Sequence, residues 1–223
     1  MEEHIVKILD IEVVTHDVRR FRVEKPGGYT FNPGQATEVS IDTPALRDEK
    51  RPFTFTCLNS DNFLEFTIKI YSDHDGVTNQ LSKLNRGDHL IIRDVWGDIG
   101  FREKGLFIAG GAGITPFIAI LRDLSVKKKL QGNTLIFANK SREDIILEHE
   151  LKKLLGHSFI NILSEENTPG YSTGFITKQF ILDNIPPDCT NYYLCGPPPM
   201  MDAVLTHLSS LGVSPGSIIM EKM

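Results

Sequence analysis

Along the first hundred positions apolar residues tend to fall on every second place, as in "FRVE", "ATEVSI", "FTFTC", "FLEFTIKIY" and "HLIIRDV". That period belongs to strands with one buried face. Turn-forming clusters, "KPGG", "NPGQ", "LNSDN" and "NRGD", separate the runs. With "IVKILDIEVV" as the first, six antiparallel strands are expected, enough to close into a small barrel without exposed edges. The spacing becomes helical only at "VTNQLSKL", residues 77–84.

After residue 100 the pattern changes to short, wholly apolar runs, each followed by a helix. "GLFIAG" leads to "PFIAILRDLSVKKK", "TLIFAN" to "EDIILEHELKKLL", "FINILS" through a loop to "ITKQFIL", and "NYYLCG" to "PPMMDAVLTHLSSL", before a last strand "SIIME". Strands buried on both faces and alternating with helices predict a parallel sheet with helices on both sides. The expected fold is therefore two domains: an antiparallel six-stranded β-barrel over residues 1–100, then an α/β parallel-sheet domain over residues 101–223. Ligands of such a sheet bind at the carboxyl ends of its strands.

The length of 223 residues, with 40% hydrophobic and 24% charged residues, suits two globular cores. A net charge of −5 argues against a general nucleic-acid binder. No apolar run approaches the ~20 residues of a membrane span, and the acidic start "MEEHIVKILD" lacks the features of a signal peptide, so a cytoplasmic location is expected. The oligomeric state is left open, with a monomer slightly favoured. Cys57, Cys189 and Cys195 include no C-x-x-C pair, against a disulfide framework, a zinc site or a cysteine-held iron-sulfur cluster. His74, between Asp73 and Asp75, reads as a solvated turn rather than a metal site, and no metal is expected.

Candidate chemistry begins at "LFIAGGAGITPF", residues 106–117. Gly110, Gly111, Ala112 and Gly113 follow a strand and precede a helix, so their backbone N–H groups and the helix dipole can face a pyrophosphate. Thr115 reads as the N-cap and Pro116 as the first helical residue. A plain tight turn is the alternative. A second break of this kind, "YLCGPPPMM" at 193–201, would flank the same crevice with Cys195 at its lip, unless Cys195 is an inert buried thiol.

Four motifs in order, "RPFT" (51–54), "GVTN" (76–79), "GGAGITP" (110–116) and "CGPPPM" (195–200), resemble those of the ferredoxin-NADP reductase superfamily of flavin-dependent NAD(P)H oxidoreductases, over nearly the whole chain. The resemblance implies that Arg51 and Pro52 meet the flavin phosphates, a guanidinium fork matching phosphate oxygens. It implies that Phe53 lies on the isoalloxazine, that Thr54 bonds the N5 region, and that Gly76, Val77 and Thr78 face the pyrophosphate. Lys69 and Tyr71 would touch the ribityl or adenine part. Gly111, Gly113, Thr115 and Pro116 would hold NAD(P)H, with Cys195, Gly196, Pro197 and Met200 bordering the nicotinamide. Thr54, Cys195 and Glu221 are the expected catalytic residues.

In "IIMEKM" Met223 stands where the family often has an aromatic cover for the flavin, which predicts a looser lid. The glycine-led helix favours FAD over FMN. Glu165 and Glu166 would repel a 2'-phosphate and favour NADH, whereas Lys140 and Arg142 would attract one. Hydride would pass to the flavin and electrons onward to a separate acceptor, most simply flavodoxin or ferredoxin. The alternatives are a reductase of small acceptors such as free flavin or ferric complexes, a non-catalytic redox sensor, and a flavin-free dehydrogenase.

Overall fold

The computed structural model describes residues 2–73 and 75–221, so the expectations for His74 and Met223 fall outside the described residues. The first half holds β1 (His4–Thr15), β2 (Val18–Glu24), β3 (Ala36–Ile41), β4 (Arg51–Thr54), β5 (Phe63–Lys69), α1 (Val77–Leu81) and β6 (His89–Trp96). The strands pair in the order β4-β3-β6-β1-β2-β5, every pair antiparallel. The alternation in "FTFTC" predicts one continuous strand, yet β4 stops at Thr54 because the chain there changes partner. Phe55 still donates its N–H to Gln35 beside β3 (3.1 Å), but it bridges Phe66 on β5, and Thr56 donates to the Glu65 carbonyl (2.8 Å). That crossing joins the two ends of the sheet and closes the barrel. Inside, Phe55 stacks on Phe31 at 4.3 Å and leans on Phe66 at 5.2 Å, with Ile8, Phe21 and Leu64 fully buried around them.

The second half runs β7 (Gly105–Gly110), α2 (Thr115–Val126), β8 (Thr134–Asn139), α3 (Glu148–Leu155), β9 (Phe159–Leu163), β10 (Ser172–Thr173), α4 (Lys178–Asn184), β11 (Asn191–Cys195), α5 (Pro198–Ser210) and β12 (Ile218–Ile219). The sheet order is β10-β9-β8-β7-β11-β12, all parallel, so the winding reverses between β7 and β11. Every residue of β7 is buried because both faces are covered. Phe107 and Ala109 pack with α2 and α3, while Leu106 and Ile108 pack with α4 and α5. Two details depart from the sequence pattern. α3 starts at Glu148 rather than near residue 143, because Ser141 and Asp144 form a capping box that closes a separate 3-10 turn, and Leu147 then takes a left-handed conformation. The short strand β10 lies in what reads as loop. Among the described residues no helix is long and apolar enough to cross a membrane.

The halves meet along β5. Leu64, Phe66 and Ile68 fill the barrel, so Glu65 faces outward; it is nonetheless 1% exposed, because α2 covers it. Arg122 on α2 donates from Nη1 to Glu65 Oε1 at 2.7 Å, and Arg22 Nε donates to Glu65 Oε2 at 3.0 Å. Around them Val18 and Ile99 of the first half join the apolar cluster of α2 and α3. Burial raises the Glu65 carboxyl, but the Arg122, Arg22 and Arg20 guanidiniums outweigh it and hold it below its ordinary value of 4.5. A lowered folded-state pKa contributes stability that is present above the unfolded value and lost as pH falls through the folded one. Calorimetry at decreasing pH below about 4.5 is expected to show a fall in melting temperature that Glu65→Gln reduces. Glu65→Ala removes the carboxylate that Arg122, Arg22 and Arg20 share and is expected to cost about 3–5 kcal/mol at neutral pH; a variant as stable as the parent would contradict this role.

Candidate nucleotide-binding crevice

At the winding reversal the ends of β7 and β11 lie side by side, Ala109 opposite Cys195. Gly110 is still extended, and Gly111 (φ +49°) opens a 3-10 turn over Gly111–Ile114 that runs into α2. The helical path thus begins a turn before Thr115. Thr115 is not the N-cap: it is already helical, and its hydroxyl donates to the Ala112 carbonyl at 3.0 Å. Pro116 therefore falls where the 3-10 turn passes into α-helix, because a glycine-rich segment can coil this tightly where bulkier residues could not.

The glycines divide into two roles. A Cβ on Gly113 would run into the Cys195 carbonyl, so the loops pack backbone on backbone there, while one on Gly110 or Gly196 would meet the Met200 thioether that fills the space beside them. A Cβ on Gly111 would meet nothing within 4 Å, so there the glycine is called for by its positive φ rather than by close packing.

α1 begins at Gly76 with no capping side chain and no acid in its first turn, and the same holds for the turn leading into α2. By contrast Thr177 caps α4 by accepting from Phe180 N at 3.1 Å, and α3 carries Glu148 and Glu150 in its first turn. Uncapped N–H groups and an uncompensated dipole suit an anion. α5 is also uncapped, but Pro198 and Pro199 bring no N–H, so "CGPPPM" forms a wall more than a donor set. Val77 is buried in the barrel core, and Thr78 Oγ1 accepts from Tyr71 N at 3.3 Å, tying the end of β5 to α1.

On β4, Arg51 and Pro52 are exposed and Phe53 and Thr54 half-buried. The Arg51 guanidinium donates to the Lys50 carbonyl at 2.6 Å and lies 3.6 Å from Glu49, at the surface and turned to its own neighbours. Lys69 pairs with Asp17 at 2.6 Å, and Tyr71 is 47% exposed. Beside Asp17, His16 Nε2 is 3.8 Å from Asp144 of the second half.

Glu221 ties the end of the second half to the barrel. Thr54 is opposite Ala36, which on its other side faces Trp96. Just beyond Trp96, Asp98 donates its N–H to Glu221 Oε1 at 3.1 Å. Burial first, and then the charge of Glu221, push the Cys195 thiol up to about 11.

Farther along the sheet edge, Lys140 pairs with Glu165 at 3.2 Å, Arg142 Nε is 3.6 Å from Glu148, and the Arg142 N–H donates to Glu166 at 2.7 Å. Ser141, Arg142, Glu143, Glu148 and Glu166 line an open hollow there. Asn139 ends β8 next to the glycine turn; it is 8% exposed, and neither Oδ1 nor Nδ2 has a partner. Neither Asn139 nor Arg122 stands out in the sequence, since both sit in ordinary strand and helix patterns.

Two family models cover most of the chain: an FAD-binding domain matches residues 4–104 and an oxidoreductase NAD-binding domain matches residues 107–206. NADH-cytochrome b5 reductase 3 of Rattus norvegicus is 29% identical, the match covering 93% of this chain and 82% of the relative. NADH-cytochrome b5 reductase 1 of Arabidopsis thaliana is 30% identical, over 94% of this chain and 80% of the relative. In fold the chain is similar to a ferredoxin NADP+ reductase from Neisseria gonorrhoeae solved with bound FAD and NADP, with a TM-score of 0.85 at 20% identity, covering 99% and 98% of the two chains. The chain therefore belongs to the ferredoxin-NADP reductase superfamily of FAD- and NAD(P)H-binding flavoprotein oxidoreductases, which includes the cytochrome b5 reductase type.

Proposed function

We propose that this chain oxidises NADH with FAD and passes the electrons singly to a separate haem protein of the cytochrome b5 kind. The observation that carries the reading is the crevice at the carboxyl ends of β7 and β11, where the glycine turn at the head of α2 packs on the Cys195 carbonyl and Glu221 accepts from Asp98 at the end of the barrel. FAD bound there supplies a hydride-accepting ring that can release electrons one at a time.

In this reading residues 1–100 hold FAD and residues 101–223 hold the nicotinamide nucleotide. Phe53 and Thr54 line the flavin ring, and the N–H groups at Gly76, Val77 and Thr78 face its pyrophosphate. Arg51 turns from the Lys50 carbonyl to reach a phosphate, and Pro52 stiffens the strand beside it. Tyr71 supplies an exposed ring near the adenine or ribityl part. Lys69, held by Asp17, contributes positive charge at that end. The turn through Gly111, Gly113, Thr115 and Pro116 receives the NADH pyrophosphate. Cys195, Gly196, Pro197 and Met200 wall the nicotinamide.

The acids at the edge of β8 and β9 support NADH over NADPH. Lys140 and Arg142 each face a carboxylate, and Glu143 and Glu166 add further negative charge to the hollow, which repels a 2'-phosphate and suits a ribose hydroxyl. The names of the relatives support a haem acceptor over the flavodoxin or ferredoxin that the sequence motifs suggest.

Anaerobic mixing of the FAD-loaded protein with each nucleotide, followed by flavin absorbance, tests the donor. NADH is expected to bleach the flavin at least about tenfold faster than NADPH, and failure of both would end the enzyme reading. The reduced protein, offered cytochrome b5 and ferredoxin in turn, is expected to reduce the cytochrome; transfer to ferredoxin alone would refute the acceptor.

Cys195 yields a further prediction. A thiol pushed up to about 11 holds little thiolate at neutral pH. Its alkylation by iodoacetamide at pH 7.5 is expected to run about a hundredfold slower than that of an ordinary cysteine, and to accelerate as pH rises toward 11. Rapid labelling at neutral pH, mapped to Cys195 by peptide mass, would rule out the neutral lip.

A further inference from the structure

Arg122 lies seven residues past Thr115, two turns or about 10 Å along α2 from the glycine turn. Its guanidinium makes four short hydrogen bonds. Nη1 donates to the Thr56 carbonyl at 2.6 Å and to Glu65 Oε1 at 2.7 Å; Nε and Nη2 donate to Glu150 Oε1 and Oε2 at 2.6 and 2.8 Å. Thr56 is two residues beyond Thr54 on the segment that closes the barrel. One planar group is thus bonded at the same time to the backbone leading from Thr54, to the barrel wall, and to α3.

We propose that Arg122 is a positioning residue for hydride transfer: it fixes the distance and angle between the glycine turn at the head of α2 and the Thr54 strand. This inference rests on the function proposed above. The apolar contacts across the seam, through Val18, Ile99 and Ile120, hold the halves together but are non-directional, and Gly34 sits close against Ile99 and Ile120. Nothing in that packing sets a register along β5. The Arg122 fork does, because its donors must meet a carbonyl and two carboxylates in one plane. Burial alone would lower the guanidinium pKa, but Glu150 and Glu65 more than offset it, so the charge is permanent. A lysine has no planar fork and can satisfy only part of this set. Misplacement of reacting groups by about 1 Å costs up to about a hundredfold in rate, so a loosened register is felt in the chemical step before it is felt in nucleotide affinity.

The test compares the FAD-loaded parent with Arg122→Lys and Arg122→Met. Four quantities are measured: flavin content, the NADH dissociation constant, the limiting rate of anaerobic bleaching, and the long-wavelength charge-transfer absorbance that nicotinamide stacked on flavin produces. Amide exchange over residues 54–56 and 111–115 is followed in nucleotide-free protein. Arg122→Lys is expected to keep its flavin and bind NADH within about twofold of the parent, while the limiting rate falls at least about tenfold. Its charge-transfer band weakens and exchange at both segments quickens. An unchanged rate per bound flavin, with only a lower melting temperature, would overturn the positioning role and leave Arg122 as a simple brace. If Arg122→Met loses FAD, Arg122→Lys decides the matter. If neither nucleotide bleaches the parent, the proposed function fails, and unchanged exchange in the lysine variant would separately refute the inference about Arg122.

Discussion

The buried carboxylate of Glu65 is the constraint around which the two halves are arranged. A carboxylate on the outer face of a barrel strand is ordinarily solvated, and covering it with a second domain removes that water at a cost of several kcal/mol. The chain offsets this with guanidiniums from both halves: Arg22 and Arg20 from β2, Arg122 from α2. Because one of the partners is supplied by the second half, the barrel wall is satisfied only when α2 is docked. α2 in turn carries the glycine turn at its head, so satisfying a charge in the seam also delivers that turn to the crevice. The order of elements in the chain has the same effect, since Thr54, Phe55 and Thr56 leave β3 and cross to β5 where Arg122 reaches them.

The glycine turn obeys a second constraint, backbone against backbone. In a dinucleotide fingerprint of the G-x-G-x-x-G type the third glycine admits close packing of helix and strand. Here that closeness is reached elsewhere: Gly113 against the Cys195 carbonyl, and Gly110 and Gly196 around the Met200 thioether. With the close contact moved to the neighbouring loop, α2 needs no glycine in its first turn and can carry Pro116 and Phe117 instead, the latter packing edge-on to Phe107 at 5.2 Å. The proline in "GGAGITP" is compatible with the fold for that reason, and the two glycine loops act as one structural unit although some eighty residues separate them.

Much of this architecture is legible in the residues. Alternation over "FLEFTIKIY" and "HLIIRDV" places β5 and β6, and the unbroken apolar run "LFIAG" marks a strand covered on both faces. What periodicity misreads is decided by distant partners. Glu65 falls on the face that alternation assigns to water, and only a helix more than fifty residues later makes it buried. β4 ends where its partner changes, which no local pattern records. α3 begins late because the Ser141–Asp144 box is a stronger local stop than the apolar spacing of Ile145 and Ile146 is a helix signal. In the crevice side-chain directions escape the motifs: Arg51 rests on its own neighbours, and Thr115 bonds backward into the turn instead of capping the helix.

In the proposed reading the seam serves hydride transfer by faces that shut out water. Burial first, and then the Glu221 carboxylate, keep the Cys195 thiol neutral, and the Cys195 carbonyl lies close over Gly113. Glu221 itself is held by the Asp98 N–H at the end of the barrel. The acid therefore joins both halves, as Arg122 does. Two tethers of opposite charge, Glu221 on Asp98 and Arg122 on Thr56 and Glu65, leave the second half little freedom to slide on the barrel. Rigid placement of this kind serves a reaction whose hard chemistry is carried by the cofactors and whose rate depends on how well they are aligned.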